Sequence, residues 1–503
     1  MSLKKNIIAN YCGQGWTALM GLVFLPVYIR YLGIEAYALI GLFVVLQAWL
    51  SLLDMGMTPT LNREMARHNA GKHSPQSICN LLRSMEVVCF SIAVLIAIGV
   101  WSSSGYLAND WLKTDKLPTQ VVSQAISVMA FVAALRFIEG VYRGSLFGLQ
   151  KQVWYNSVSA IIATVRNGGA VAVLAWVLPT VEVFFLWQAV VSVISIIVLA
   201  AGVHRTLPEP PEPPKFSRQA IAEVWKFAGG MMGITFLAIL LTQVDKIMLS
   251  RMLMLKSFGY YSLAATVAGI LYTIVGPITA AIYPHLIELI ALHDQTELVA
   301  AYHKGAQLVT ILTAPAVMLI YFFAGGIVFM WSGNADLAAN TAPILTILVL
   351  GSFLNCLMHM PSQLQLAHGW TSLTLKTNAV AVLLLIPAIY WVVPLYGAVG
   401  AAWIWVALNS GYVLIAVQFM HQRIIPNEKL RWYYADLLLP IGGSIGVMLF
   451  ATAFQPESYH DRWHWFSFLL ITGVLALVAS TALAGHIRPR LLSIIGRSRR
   501  SSC

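Results

Sequence analysis

An all-α polytopic membrane protein is the fold class this sequence predicts, and three observations carry that reading. The 503 residues are 59% hydrophobic and only 10% charged, whereas soluble domains run nearer a quarter charged. Fourteen apolar runs are long enough to cross a hydrocarbon core, which takes about 20 helical residues. A proline- and glutamate-rich stretch, residues 207 to 215, interrupts them and leaves six runs on its N-terminal side. Alternating polar and apolar strands are absent, which excludes a β-barrel.

The first run, 7–30, follows Lys4 and Lys5 and has no small-residue cleavage site, so it reads as a retained helix rather than a signal. The next five are 36–57, 81–103, 119–143, 153–177 and 182–203. After the linker come 222–248, 258–282, 306–330, 341–363, 374–393 and 397–420, and then a further pair, 434–454 and 465–485. The expected domains are an N-terminal six-helix bundle, 1–204, and a cytoplasmic linker, 205–221. A second six-helix bundle, 222–421, and two extra helices with a basic tail, 422–503, follow.

Orientation follows from the basic residues. With the N-terminus inside, 22 of the 31 Lys and Arg fall in inner segments, 7 fall outside, and Arg136 and Arg166 lie within spans. That asymmetry predicts both termini in the cytoplasm. It also accounts for the net charge of +11 without nucleic acid as a partner. The five cysteines, Cys12, Cys79, Cys89, Cys356 and Cys503, form no CxxC pair or metal-ligand spacing. No GxxxxGK[ST] motif is present, which argues against intrinsic ATP hydrolysis. No cofactor or metal is expected.

Ionisable residues inside spans are costly, and each needs a reason; a central Arg costs about 2.5–3.5 kcal/mol on insertion scales. Arg166 sits near the middle of the fifth run, too deep to snorkel. It reads either as a cavity cation for a phosphate or diphosphate, which suits guanidinium geometry, or as a partner of a buried carboxylate. Arg136, Glu139 and Arg143 share one helical face by their spacing. They form a cavity-lining stripe or a self-neutralising ladder. Arg30, near a span end, is a cavity residue or an outer-interface anchor. Asp245 and Asp54 are candidates for ion coupling or for structural pairing, and Glu86 reads as an interfacial partner. Pro26, Pro277, Pro284, Pro361 and Pro387 fall in or near spans, where Pro kinks helices.

The two halves repeat weakly. Tyr31-Leu-Gly-Ile-Glu-Ala-Tyr-Ala-Leu39 is echoed by Leu255-Lys-Ser-Phe-Gly-Tyr-Tyr-Ser-Leu263. Gly148-Leu-Gln-Lys151 before Asn156 is echoed by Ala367-His-Gly369 before Asn378. Six spans per copy is even, so the copies share one orientation and the expected pseudo-two-fold axis lies along the membrane normal.

On these residues the chain resembles a known family. Arg30-Tyr-Leu-Gly-Ile-Glu35, Asp54-Met-Gly56, Asp245-Lys-Ile-Met-Leu249 with Gly259-Tyr260, and Tyr396-Gly-Ala-Val-Gly-Ala-Ala402 carry the likeness over residues 1 to 425. It looks like the polysaccharide exporters of the multidrug/oligosaccharidyl-lipid/polysaccharide superfamily, the O-antigen-type flippases. The last pair of spans departs from twelve-span members and resembles the lipid II flippase branch. The resemblance implies two six-helix bundles around a central cavity, alternating access, and undecaprenyl-diphosphate-linked oligosaccharide as substrate. Membrane lipids, a glycan polymerase and assembly proteins would be its partners, in the bacterial inner membrane. The alternative is an ion-coupled drug or small-molecule exporter of the same superfamily, which would prefer an acidic cavity. A membrane enzyme ranks third, because no paired carboxylate or nucleophile–base constellation is present.

Overall fold

The computed structural model describes residues 3–218, 236–456 and 461–485, apart from 55, 70, 72 and 238. Part of the linker, most of the seventh expected span and the basic tail therefore lie outside the described residues. Among those described the chain is helical, without strands. Eleven helices are long and apolar enough to cross a membrane. The difference from fourteen runs has identifiable sources. The seventh run falls largely on undescribed residues, the first lies in a helix outside that set, and the eleventh and twelfth share one helix.

The chain divides into two compact units, 1–259 and 260–503. Unit 1 opens with α1 (Leu3–Val23) and α2 (Leu25–Leu50). α2 breaks at Gly33, whose φ of 81° and ψ of 166° only glycine adopts without strain. The expected boundary between the first two runs is this break. A 3₁₀ turn, Ser51–Asp54, leads to α3 (Met57–Asn69), an amphipathic helix too short and polar to span. Met57, Leu61 and Met65, spaced four apart, bury its apolar face. They enter a core with Ile78, Leu82 and Met85 of α4 and Leu146 of α5.

α4 (Pro75–Tyr106) starts at Ser74, whose side chain accepts from the Ser77 amide. α5 (Thr119–Gly148) and α6 (Gln152–Trp176) meet in a tight loop with Gln150 at φ 57°. α7 (Val181–Thr206) follows, capped by Thr180. Glycines let helices approach closely here: a Cβ on Gly169 would overlap the Trp187 indole, and one on Gly202 the Trp154 indole. A helix over 239–252, α8, closes the unit.

The linker is fastened to unit 1. The Glu212 amide donates to Gln76 Oε1 at 3.0 Å, the Lys215 amide to Asn80 Oδ1 at 2.8 Å and the Ser217 amide to Ser84 Oγ at 2.8 Å. Gln76, Asn80 and Ser84 lie four apart on α4, so one face of that helix supplies acceptors to an extended strap.

Unit 2 takes most of α9 (Leu255–Ala291), then α10 (Gln295–Ser332), α11 (Ala335–Leu357) and α12 (His359–Ala367). α13 (Thr371–Gly411) is 41 residues long and breaks at Gly397, with φ 58° and ψ −143°. At 1.5 Å per residue it would be about 60 Å if straight, twice a hydrocarbon core. The break separates the eleventh and twelfth expected runs. The loop before α13 holds Gly369 at φ 68°, a counterpart of the Gln150 loop before α6. α14 (Val417–Ile424), α15 (Lys429–Arg431), a π-type turn (Trp432–Leu438), α16 (Leu439–Ala451) and α17 (Arg462–Ala482) complete the unit. α10 is its axis: α11, α16 and α17 pack along it. Trp465 of α17 seats on Gly326, where a Cβ would overlap its ring.

Candidate functional site

Three of the intramembrane charges of unit 1, Arg136, Glu139 and Arg166, converge on one network built by four helices. α5 brings Arg136 and Glu139, α6 brings Arg166, and α2 and α7 supply the neutral groups around them. Arg166 Nη2 donates to Glu139 Oε1 at 3.2 Å and lies 3.4 Å from Ser192 Oγ. The two ionic side chains are 18% and 19% exposed, so the pair is sheltered but not sealed.

Arg136 is held differently. Its Nη1 donates to Gln47 Oε1 and its Nη2 to Gln188 Oε1, both at 2.9 Å. Its guanidinium also stands 5.2 Å from the centre of the Phe43 ring, in cation–π range. Gln188 is 4% exposed and Ser192 is fully buried, so the acceptors are fixed by packing. The Nε atoms of Arg136 and Arg166 are buried without a hydrogen-bond partner among the described residues. Two guanidiniums around one carboxylate leave a formal excess of one positive charge and donors still to be satisfied. Such a group can attract an anion with several oxygens.

The spacing on α5 brings Arg136 and Glu139 into this network and leaves Arg143 exposed. Arg30 is exposed near the Gly33 break. Asp54 accepts from the Thr58 amide through both carboxylate oxygens at 3.2 Å and from Thr58 Oγ1 at 2.8 Å. That geometry makes it the cap of α3, an anion at a helix N-terminus. Asp245 is half-buried on α8. Glu86 receives the Tyr142 hydroxyl at 3.1 Å and lies 3.4 Å from Arg83 and 3.2 Å from His204.

Two groupings were not legible in the sequence. Glu35, 8% exposed, accepts the Asp115 amide at 2.7 Å and the Lys116 amide at 3.0 Å, pinning the loop between α4 and α5 to the start of the second span. Trp111 donates to Ser250 Oγ at 3.1 Å, and the Leu255 amide donates to the Lys113 carbonyl at 2.7 Å. The same loop is thereby tied to the α8–α9 junction. The second grouping is a buried His303 between Asp436 and Glu428 in unit 2. Its members lie 125 and 133 residues apart in the chain, so no local spacing announces them.

Comparison with known proteins gives a consistent set. A family model described as polysaccharide biosynthesis protein matches residues 3–290. A Shigella flexneri protein named "Putative O-antigen transporter" is 23% identical over 416 residues, covering 80% of this chain and 94% of its own. Among solved structures, the lipid II flippase MurJ in an inward closed conformation superposes with a TM-score of 0.68 at 13% identity, over 96% of this chain and 98% of that one. An inward-facing MATE-family multidrug resistance transporter of the MOP superfamily gives 0.63 at 14% identity, over 81% and 94%. The fold is that of MOP-superfamily transporters. The relatives' descriptions name transporters and a flippase, none a catalyst.

Proposed function

The chain belongs to the polysaccharide biosynthesis protein family, and from that premise we propose that it is a flippase for a polyprenyl-diphosphate-linked oligosaccharide. It would act in the bacterial inner membrane by alternating access, with both termini cytoplasmic. Its architecture is fourteen spans: six-helix bundles over 1–204 and 222–421, joined by the linker, with the last pair over 422–503. The wider coverage of this chain by the MurJ structure than by the MATE structure supports the additional pair.

The observation that carries the reading is the Arg136–Glu139–Arg166 network with its net positive charge. A diphosphate head group can compete with Glu139 for the Arg166 guanidinium, because both are oxyanions that accept the same N–H bonds. Binding that is stronger in one conformation than in the other shifts the balance between inward and outward states by that difference. Arg30 and Arg143, exposed, would guide the head group; Asp245 and Asp54 are the coupling candidates, and Asp54 also accepts from Thr58 at the start of α3. The lipid tail would stay in the bilayer, and the glycan would pass to polymerase and assembly proteins.

The test is export in cells. Deletion is expected to trap the lipid-linked repeat unit on the cytoplasmic leaflet, read by its resistance to a membrane-impermeant sugar-modifying reagent. Arg166→Ala alone leaves the half-buried Glu139 carboxylate without its counterion, which destabilises the fold as well as changing the site. The informative variant is therefore the double substitution Arg166→Ala with Glu139→Gln, which removes the pair together. It is expected to insert normally and to abolish export. The MATE likeness favours a second reading, an ion-coupled exporter of drugs or small molecules. Raised drug tolerance in a pump-deficient strain, with glycan export unaffected by deletion, would establish that reading and overturn the first.

A further inference from the structure

Unit 2 holds a buried charged cluster outside the network assigned to substrate. His303 on α10 is fully buried, and both of its ring nitrogens face carboxylates. Nδ1 contacts Asp436 Oδ2, and Nε2 lies 2.9 Å from Glu428 Oε2. Asp436 is itself fully buried in the turn Trp432–Leu438, where its Oδ1 accepts from Gln307 Nε2 at 3.0 Å. The Gln307 amide also lies 3.3 Å from the Ala435 carbonyl. Arg431 Nη1 stands 3.5 Å from Glu428.

Counting protons decides what holds this cluster together. A neutral imidazole offers one N–H and one lone pair. Between two ionised carboxylates it would set that lone pair against a carboxylate oxygen in a buried place, where an unpaired polar contact is costly. The arrangement is satisfied when the ring carries both protons, or when one carboxyl holds a proton and donates it to the ring. In either form the cluster contains one proton more than a neutral ring with two carboxylates. We propose that Glu428, His303 and Asp436 form a proton-binding site that fastens α15 and the turn Trp432–Leu438 to α10, and that loss of this proton releases them.

The surroundings fit a latch. Asn427, directly before the segment, has φ 75°, a left-handed conformation that Asn tolerates better than most residues. It gives the chain a bend about which α15 can swing. Beyond the turn lies α16, which together with α17 packs on α10, so the latch governs how the last pair of helices begins. The other ionisable groups on the surrounding elements are Glu297, Tyr302, Lys304 and Tyr321 on α10, Cys356 on α11, His359 on α12, His421 and Arg423 on α14, Lys429 and Arg431 on α15, and Tyr433 and Tyr434 in the turn. Tyr302 and His421 contact each other at 3.2 Å. α16 carries none. Asp336 of α11 and Arg462 and His464 of α17 stand at helix N-termini; Arg462 bonds to Met330 and Trp331, on the order of 40 Å along α10 from His303 at 1.5 Å per residue.

Hydrogen exchange of the full chain in lipid nanodiscs tests this, with each rate divided by the intrinsic rate at that pH. Protection of the amides in 432–438 is expected to fall by about tenfold between about pH 6 and about pH 9. His303→Gln can still donate to one carboxylate but binds no such proton, and it keeps His421. It is expected to show protection independent of pH over this range. Should that variant fail to fold, Asp436→Asn is read in the same way. Wild-type protection that does not change with pH, or the same fall in His303→Gln, overturns the proposal. The readout involves no transport, so its failure leaves the flippase reading intact.

Discussion

Arg136 and Arg166 stand around one carboxylate, and what separates them is what else they hold. Arg166 has Glu139 as counterion, while Arg136 relies on two neutral amides and an aromatic face. An arginine so held depends on each acceptor, since a hydrogen bond to a charged group contributes about 1.5–3 kcal/mol. Gln188→Leu keeps nearly the same volume but removes the acceptor of Arg136 Nη2. It is expected to destabilise the chain by about that amount, seen as a lowered unfolding temperature in detergent; an unchanged temperature would show that Arg136 finds another partner. The sequence placed Arg136, Glu139 and Arg166 as intramembrane charges, because hydropathy marks a charge in an apolar run without ambiguity. It could not show that Gln47, Gln188 and Ser192 surround them. Glutamine and serine in a span are unremarkable until the helices that carry them are packed together.

Helix breaks, not loops, separate two neighbouring pairs of expected spans. At Gly33 and Gly397 the chain turns through a backbone conformation reserved for glycine and resumes as helix. A Cβ on either residue would meet nothing within 4 Å. The cost of a substitution is therefore backbone strain alone, on the order of 1–3 kcal/mol. Gly397→Ala is expected to lower thermal stability by that amount while leaving side-chain packing undisturbed; an unchanged melting temperature would mean the break relaxes into continuous helix. Both glycines lie in motifs visible in the sequence, so the breaks were locatable, though not their geometry. α3 was missed as an element, because at thirteen residues with several charges it reads as loop under a window sized for spans. The repeat of Met57, Leu61 and Met65 was the signal available for it.

At the scale of the whole molecule, the distribution of Lys and Arg sets an orientation. The linker, with Arg205, Lys215 and Arg218, should face the cytoplasm, and the loop at Lys113 and Lys116 should face the opposite side. Alkaline phosphatase fused after Asp115 is expected to be active and fused after Glu212 inactive, the reverse holding for a fluorescent protein that folds only in the cytoplasm. The opposite pattern would invert the topology proposed above. The linker also gains a role in fold: it is a strap bonded to α4 through Gln76, Asn80 and Ser84, not a free tether.

Composition and span length determined by themselves that this is a helical, multi-pass membrane chain. Those are properties of transfer to lipid and of local backbone preference, which each segment expresses independently of its neighbours. What packs against what was decided only in three dimensions. Glu35 reaches a loop about eighty residues away and His303 meets Asp436 across 133 residues. These contacts exist because burying a charge or an amide is costly until another segment supplies its partner. Which segment does so depends on how the helices assemble, and no local pattern in the chain encodes it.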